Sequence, residues 1–158
     1  MVDRILEYRK GKSATGCKDV TMSEDFLADH FPRFPVMPGV MQLEAIVQLA
    51  SWLVFVSSDF KSKGTLAELG AIKFREFVKP GEQMTMEVSF ESMDSEGVSF
   101  KAQIRVGDRV KTVLTSARLR YIPIEEIDDP REAEEYFHYL TGDKPFGVYA
   151  SRLKSVPS

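Results

Sequence analysis

Apolar and polar residues alternate along most of this chain with a period of two, and at one place, near residue 40, the period becomes helical. Met84, Met86, Val88 and Phe90 alternate with Thr85, Glu87 and Ser89, and Val98, Phe100, Ala102, Ile104 and Val106 alternate with Ser99, Lys101, Gln103 and Arg105. Successive strand side chains point to opposite faces, so this spacing predicts antiparallel strands with one buried face. Turn residues separate them at Pro80-Gly81, Asp94 to Gly97 and Gly107-Asp108, the last an ordinary hairpin signal. A final strand is predicted from Arg109 to about Ile122. Two more open the chain, Val2 to Tyr8 and Ser13 to Thr21, on either side of a turn at Lys10-Gly11-Lys12. Ser23, Glu24 and Asp25 suit the opening of a short helical turn.

The segment from His30 to Gly39 holds Pro32, Pro35 and Pro38, which makes it an ordered, extended loop with few free dihedrals. Pro38 suits a first helical turn, where its missing N–H is not needed. Apolar residues then fall at Val40, Leu43, Ile46, Val47, Ala50, Leu53 and Val54, and the other face carries Met41, Ala45, Leu49, Trp52 and Phe55. A helix apolar all round is buried or spans a membrane. Gln42, Glu44, Gln48 and Ser51 interrupt the run, which favours a central buried helix of a soluble domain with no membrane partner. Two strands, one long helix and, after a loop at Asp59 to Gly64, four strands predict an α+β domain: one curved antiparallel sheet wrapped around a helix.

At 158 residues the chain has about one domain's worth of length. Its 43% apolar and 28% charged residues exclude disorder as the main state. Cys17 is the only cysteine, so no internal disulfide forms, and a reducing, cytoplasmic setting is expected. Arg4 breaks the start before a signal-peptide core could form. Two histidines and no Cys/His cluster speak against a zinc site. The net charge of −3 with no basic run makes nucleic acid an unexpected partner. That charge is uneven: residues 1–120 carry a net +1 and residues 121–158 a net −4. With Pro123 and Pro130, the shift predicts a body of residues 1–122 and an acidic extension of residues 123–158, helical and packed on or flanking that body. His138, between Phe137 and Tyr139, reads as packing.

Three residues carry candidate chemistry. Glu44 sits in an otherwise apolar helix, where burial would favour the neutral, proton-donating carboxyl; the alternative is a carboxylate satisfied by a local hydrogen-bond network. His30 precedes the rigid loop that leads to the helix bearing Glu44, with Asp29 beside it to orient the ring; alone, it is an ordinary loop histidine. Gly39 places backbone N–H groups at a helix start, suited to an oxygen gaining negative charge, or simply makes a turn with Pro38.

The stretch His30-Phe31-Pro32-x-x-Pro35-Val36-Met37-Pro38-Gly39-Val40, followed by Leu43-Glu44-Ala45-x-x-Gln48, resembles the active-site signature of the FabZ-type 3-hydroxyacyl-(acyl-carrier-protein) dehydratases. Lys73-Phe74-Arg75-x-x-Val78-x-Pro80-Gly81-Glu82-Gln83 and the opening Val2-Asp3-Arg4-Ile5-Leu6 also resemble that family, so the likeness covers roughly residues 2–120. It implies the hotdog fold and dehydration of a 3-hydroxyacyl thioester to the trans-2-enoyl thioester in fatty acid or related acyl-chain biosynthesis. It also implies His30 as base, Glu44 as acid, and the Gly39 N–H as holder of the thioester oxygen, with Phe31 and Val40 as substrate-binding residues. Arg33, a cation three residues after His30, is a further substrate-binding candidate, able to grip a phosphate or to obstruct the acyl tunnel. Glu44, where the related FabA type has Asp, favours simple dehydration. The implied partners are an acyl carrier protein, docked on basic residues such as Arg33, Lys73, Arg75 and Lys79, and a second copy in a homodimer, with a trimer of dimers left open. No metal or dissociable cofactor is expected beyond the carrier's phosphopantetheine. Asp29 and Arg33 stand where the family usually has Gly, and Thr65-Leu66 where it has a Tyr-Phe gate. A hotdog acyl thioesterase using Glu44 to activate water, and a non-catalytic acyl-binding or assembly module, remain alternatives.

Overall fold

Each period-two segment forms a strand of one sheet. The structure, a computed structural model, describes residues 2–25, Leu27 and residues 33–143. Strand β1 (Arg4–Arg9) pairs with β2 (Ser13–Asp19), and after helix α1 (Gly39–Ser57) come β3 (Ser62–Leu69), β4 (Ile72–Phe74), β5 (Gln83–Met93), β6 (Gly97–Val106) and β7 (Arg109–Pro123). All pairings are antiparallel, in the order β1-β2-β5-β6-β7-β3, with β4 also on β7. Gly11 (φ 68°) and Gly107 (φ 55°) take the left-handed conformation at the two tight turns predicted there.

Five strands follow α1 rather than the four predicted. β3 and β4 lie in sequence along the same flank of β7, Leu69 opposite Ala117 and Ile72 opposite Leu114. Gly70 bridges them through its N–H to Ser116 O at 2.9 Å, so the two short strands follow one another along that edge. The loop after α1 is also shorter than expected. Asp59 (φ 52°) and Phe60 (φ 65°) reverse the chain at once, and β3 begins at Ser62. Non-glycine residues are costly there; the Phe60 ring packs edge-on against Phe55, centroids 5.1 Å apart, and offsets that cost.

Helix α1 runs across the concave face of the sheet. Ala45, Ile46, Leu49, Leu53 and Phe55 are buried against Met84, Met86 and Val88 of β5, Phe100 and Ile104 of β6, and Leu114 and Leu119 of β7. Each such large side chain contributes roughly 1.5–3 kcal/mol by leaving water. The helix is long and apolar enough to cross a membrane on composition, but 56% of the stretch is buried inside the fold, which is where its apolar surface is satisfied.

Beyond β7 a short 3₁₀ turn (Ile124–Glu126) leads to α2 (Pro130–Leu140). Asp129 caps α2 by accepting the Arg131 and Glu132 amides, with Pro130 in the first turn. Ala133, Phe137 and Leu140 are its buried face. Phe137 meets the rings of Tyr8 (5.4 Å), Phe60 (5.7 Å) and Trp52 (6.2 Å). The acidic residues Glu125, Glu126, Asp128 and Glu132 stay exposed, as solvation of carboxylates requires. His138 packs against Phe60 and reaches Asp143 Oδ2 through Nδ1 at 3.3 Å.

Candidate active site

The segment before α1 is pinned from below. The Met37 amide donates to Val78 O at 2.8 Å, joining the extended loop to the stretch that follows β4. That stretch is held in turn by Lys111, whose nearly buried ammonium donates to Glu76 Oε2 (3.0 Å) and Phe77 O (3.2 Å). Hydrogen bonding from Lys111, ahead of its charge, holds the Glu76 carboxyl below the usual carboxylate range.

Pro38 is the N-cap of α1, with no side-chain cap and no acidic residue in the first turn. Its carbonyl takes the Met41 and Gln42 amides. The Gly39 and Val40 N–H groups, at the positive end of the helix dipole, therefore face outward from the first turn, which suits an acceptor oxygen. Phe74 of β4 lies over Gly39 so closely that a Cβ there would stand 2.7 Å from Phe74 Cζ. Only glycine fits under that ring without displacing it. Beside it opens a cavity of 280 Å³ lined by Val36, Met37, Gly39, Gln42 and Phe74 to Phe77.

Gln42 turns inward and is 3% exposed. Its Nε2 donates to Met37 O (3.3 Å), and its Oε1 accepts the Thr112 hydroxyl of β7 (2.6 Å). The side chain thus ties the start of α1 to both the loop and the sheet. By spacing alone Gln42 is only an interruption of an apolar run. A polar residue at helix spacing from fully apolar neighbours was the signal that could have flagged it.

Glu44 is exposed, which corrects the expectation of burial. The sheet of this chain covers most of α1 but leaves one face less covered, along which Val40 and Glu44 are exposed and Gln48 half-buried at four-residue spacing. Val40 is 69% exposed on that face. The helix pattern could not distinguish a face covered by the chain's own sheet from one left open. Gln48 Nε2 donates to Glu44 Oε1 at 3.0 Å, so the carboxylate is held along the helix axis rather than across the fold.

Gly39, Val40 and Glu44 therefore share one end of α1. His30 and Phe31 lie outside the described residues, as do Asp29 and Pro32. Arg33 is described and exposed, as are Lys73, Arg75 and Lys79. Lys79 Nζ stands 5.3 Å from the centroid of Phe34, whose ring meets Phe77 edge-on at 6.1 Å. Of these, Arg75 and Phe77 line the cavity beside Gly39, together with Phe74 and Glu76. Among the described residues, no group of three or more His, Cys, Asp or Glu side chains is placed to hold a metal ion.

Comparison with known proteins agrees with this geometry. The family model of the FabA-like domain matches residues 1–116. A 3-hydroxyacyl-(acyl-carrier-protein) dehydratase FabZ from Caldanaerobacter subterraneus subsp. tengcongensis is 39% identical over 127 residues, covering 80% of this chain and 88% of that protein. One of the same name from a Polaromonas species is 42% identical over 114 residues, covering 70% and 79%. Among solved structures, smu.793 from Streptococcus mutans UA159, bound to acetyl CoA, superposes with a TM-score of 0.59 at 11% identity over 76% of this chain and 88% of that one. At that identity the likeness concerns the fold alone, which is the hotdog arrangement of an antiparallel sheet around a central helix.

Proposed function

The chain belongs to the FabA-like family, among its FabZ-type 3-hydroxyacyl-(acyl-carrier-protein) dehydratases, and from that membership we infer its reaction and the roles of its residues. It is a hydro-lyase that removes water from a 3-hydroxyacyl thioester and yields the trans-2-enoyl thioester. The identity to named dehydratases along most of the chain carries this conclusion.

In the mechanism proposed, His30 removes a proton from C2 of the acyl group. The Gly39 N–H, at the positive end of α1, holds the thioester oxygen as negative charge moves onto it. Glu44 gives its proton to the C3 hydroxyl, which departs as water while the C2–C3 double bond forms. The imidazolium then returns its proton to Glu44 or to solvent. No metal or dissociable cofactor enters these steps; the substrate arrives on the phosphopantetheine arm of an acyl carrier protein. Arg33, Lys73, Arg75 and Lys79 are exposed, Arg75 in the wall of the cavity beside Gly39, and suit an acidic carrier, while Phe31 and Val40 would line the acyl group.

The stripe Val40–Glu44–Gln48 supports a dimer. An exposed valine beside an exposed carboxylate on an otherwise largely buried helix suits a second copy that covers the stripe and excludes water from Glu44. His30 and Glu44 of one site then come from different subunits. A cytoplasmic setting belongs to the same reading. The direct test supplies 3-hydroxybutyryl and longer 3-hydroxyacyl groups on acyl carrier protein and identifies products by mass. Enoyl thioester is expected; free acid and free thiol would instead identify a thioesterase, and unchanged substrate a binding module.

A further inference from the structure

A second cavity, of 480 Å³, opens beside the C-terminal half of α1, one hydrogen bond from Glu44 through Gln48. Its walls have two origins. Gln48, Ser51 and Trp52 of α1 and Lys63 of β3 lie within the part matched by the family model, whereas Asp128 and Glu132 belong to the extension beyond residue 116.

The polar groups here are fixed in place. Ser51 Oγ accepts the Gly64 amide at 3.1 Å, which leaves its own proton to donate. The Lys63 ammonium lies 4.1 Å from the centroid of the Trp52 ring and 3.3 Å from Asp128 Oδ2, held by cation–π attraction and an ion pair. Glu132 adds a second carboxylate. One cation against two carboxylates repels an anionic ligand, and a purely alkyl chain would strip water from these groups without replacing its hydrogen bonds. A neutral hydroxyl finds both donors and acceptors.

We propose that this cavity is a specificity site for the remote end of the acyl chain, selecting chains that end in a neutral hydrogen-bonding group such as a hydroxyl. The proposal rests on the assignment of Glu44 to the C3 hydroxyl. From there, a chain laid along α1 passes Gln48 after about 6 Å and Ser51 after about 10.5 Å, or about eight further carbon atoms. The extension thereby turns a site built by the family fold into one with a polar end wall.

Trp52 is the only tryptophan in the chain and lines this cavity, so its emission reports occupancy without catalysis. Titration with S-undecanoyl-pantetheine and S-(11-hydroxyundecanoyl)-pantetheine should show the hydroxylated chain perturbing Trp52 and binding about fivefold tighter, the worth of one net hydrogen bond. That preference should fall below about twofold in Glu132→Leu and in Ser51→Ala, each confirmed folded by circular dichroism. Equal binding in the unmodified protein, silent Trp52 emission, or a preference that survives both substitutions would overturn the proposal. Turnover of 3-hydroxybutyryl carrier protein is measured in parallel. Turnover without the binding preference refutes the specificity site and leaves the dehydratase reading intact; the preference without turnover does the reverse.

Discussion

The hydroxyl of Thr112 donates a 2.6 Å hydrogen bond to the side-chain carbonyl of Gln42, seventy positions away, and both groups are buried. This bond joins the start of β7 to the first turn of α1, and Gln42 passes the restraint on to the Met37 carbonyl. The helix start that presents Gly39 is thus set by the sheet. Replacing Gln42 by Leu strands two buried polar groups, which costs about 1–3 kcal/mol. Thr112→Val should cost a similar amount, and the double variant less than the sum, because both remove the same bond. Denaturant midpoints of the four proteins check this, and additive losses would mean that the two residues act independently.

Glu44 offers a clean separation of chemistry from stability. Glu44→Gln should lower turnover by at least about 100-fold, the scale of a lost general acid. Because Gln keeps the shape of Glu and removes a charge that the proposed dimer would enclose, the stability of the assembled protein should not fall. Steady-state turnover and a thermal melt on the same preparation decide the point; near-normal dehydration would remove Glu44 from the acid role.

Subunit sharing can be tested by complementation. His30→Ala and Glu44→Gln proteins are each inactive by expectation. After verified subunit exchange, half of the dimers hold one chain of each kind and one intact site, so activity should recover to about a quarter of the unmodified value. Absence of recovery would place both residues in one chain's site.

Gly39 and Phe74 should behave as a coupled pair. Gly39→Ala puts a methyl 2.7 Å from the Phe74 ring, so the ring must swing out toward solvent, where it already stands half-exposed. We expect turnover to fall by more than about tenfold as the close approach to the backbone N–H is lost. Removing the ring in Gly39→Ala/Phe74→Ala should recover part of that loss if the displaced ring, rather than the methyl itself, blocks the substrate. The measurement is kcat/KM for the two single variants and the double.

Asp94 carries a predictable pH dependence. Its carboxylate accepts two hydrogen bonds from Arg118, at 2.7 and 2.8 Å, and the amides of Glu96 and Gly97. The Arg118 hydrogen bonds, then the amides, hold its pKa below the ordinary 3.8. The folded state therefore binds the proton less readily than the unfolded chain. The resulting stability is present above the ordinary pKa and lost as pH falls through the depressed one. The stability difference between the unmodified protein and Asp94→Asn should be constant from pH 7 to about 5 and shrink below about 4. Urea unfolding across that range measures it; a difference that grew toward low pH would contradict the sign.

Much of the fold was legible because strand and helix periods are local. The alternation at Met84 to Phe90 and Val98 to Val106, and the turns at Gly81, Gly97 and Gly107, required no knowledge of partners. The separation of β3 and β4 was not legible, because it shows only in their pairing with β7 on either side of Gly70. Nor was the short turn after α1, since Asp59 and Phe60 take left-handed backbones supported by contacts distant in sequence, Phe60 on Phe137 and Lys10 on Asp59.

The candidate site divides in the same way. The motif from His30 through Pro38, Gly39 and Glu44 to Gln48 is a property of the sequence, and with the blocks at Val2–Leu6 and Lys73–Gln83 it carried the family resemblance and the proposed chemistry. Burial is not such a property. The same helical spacing that sends Gln42 inward to Thr112 sends Glu44 outward, because the sheet wraps one side of the cylinder and stops short of the other. Which polar residue is locked in the core and which stands on an open face was decided by the tertiary structure, through the direction in which a finite sheet curves around its helix.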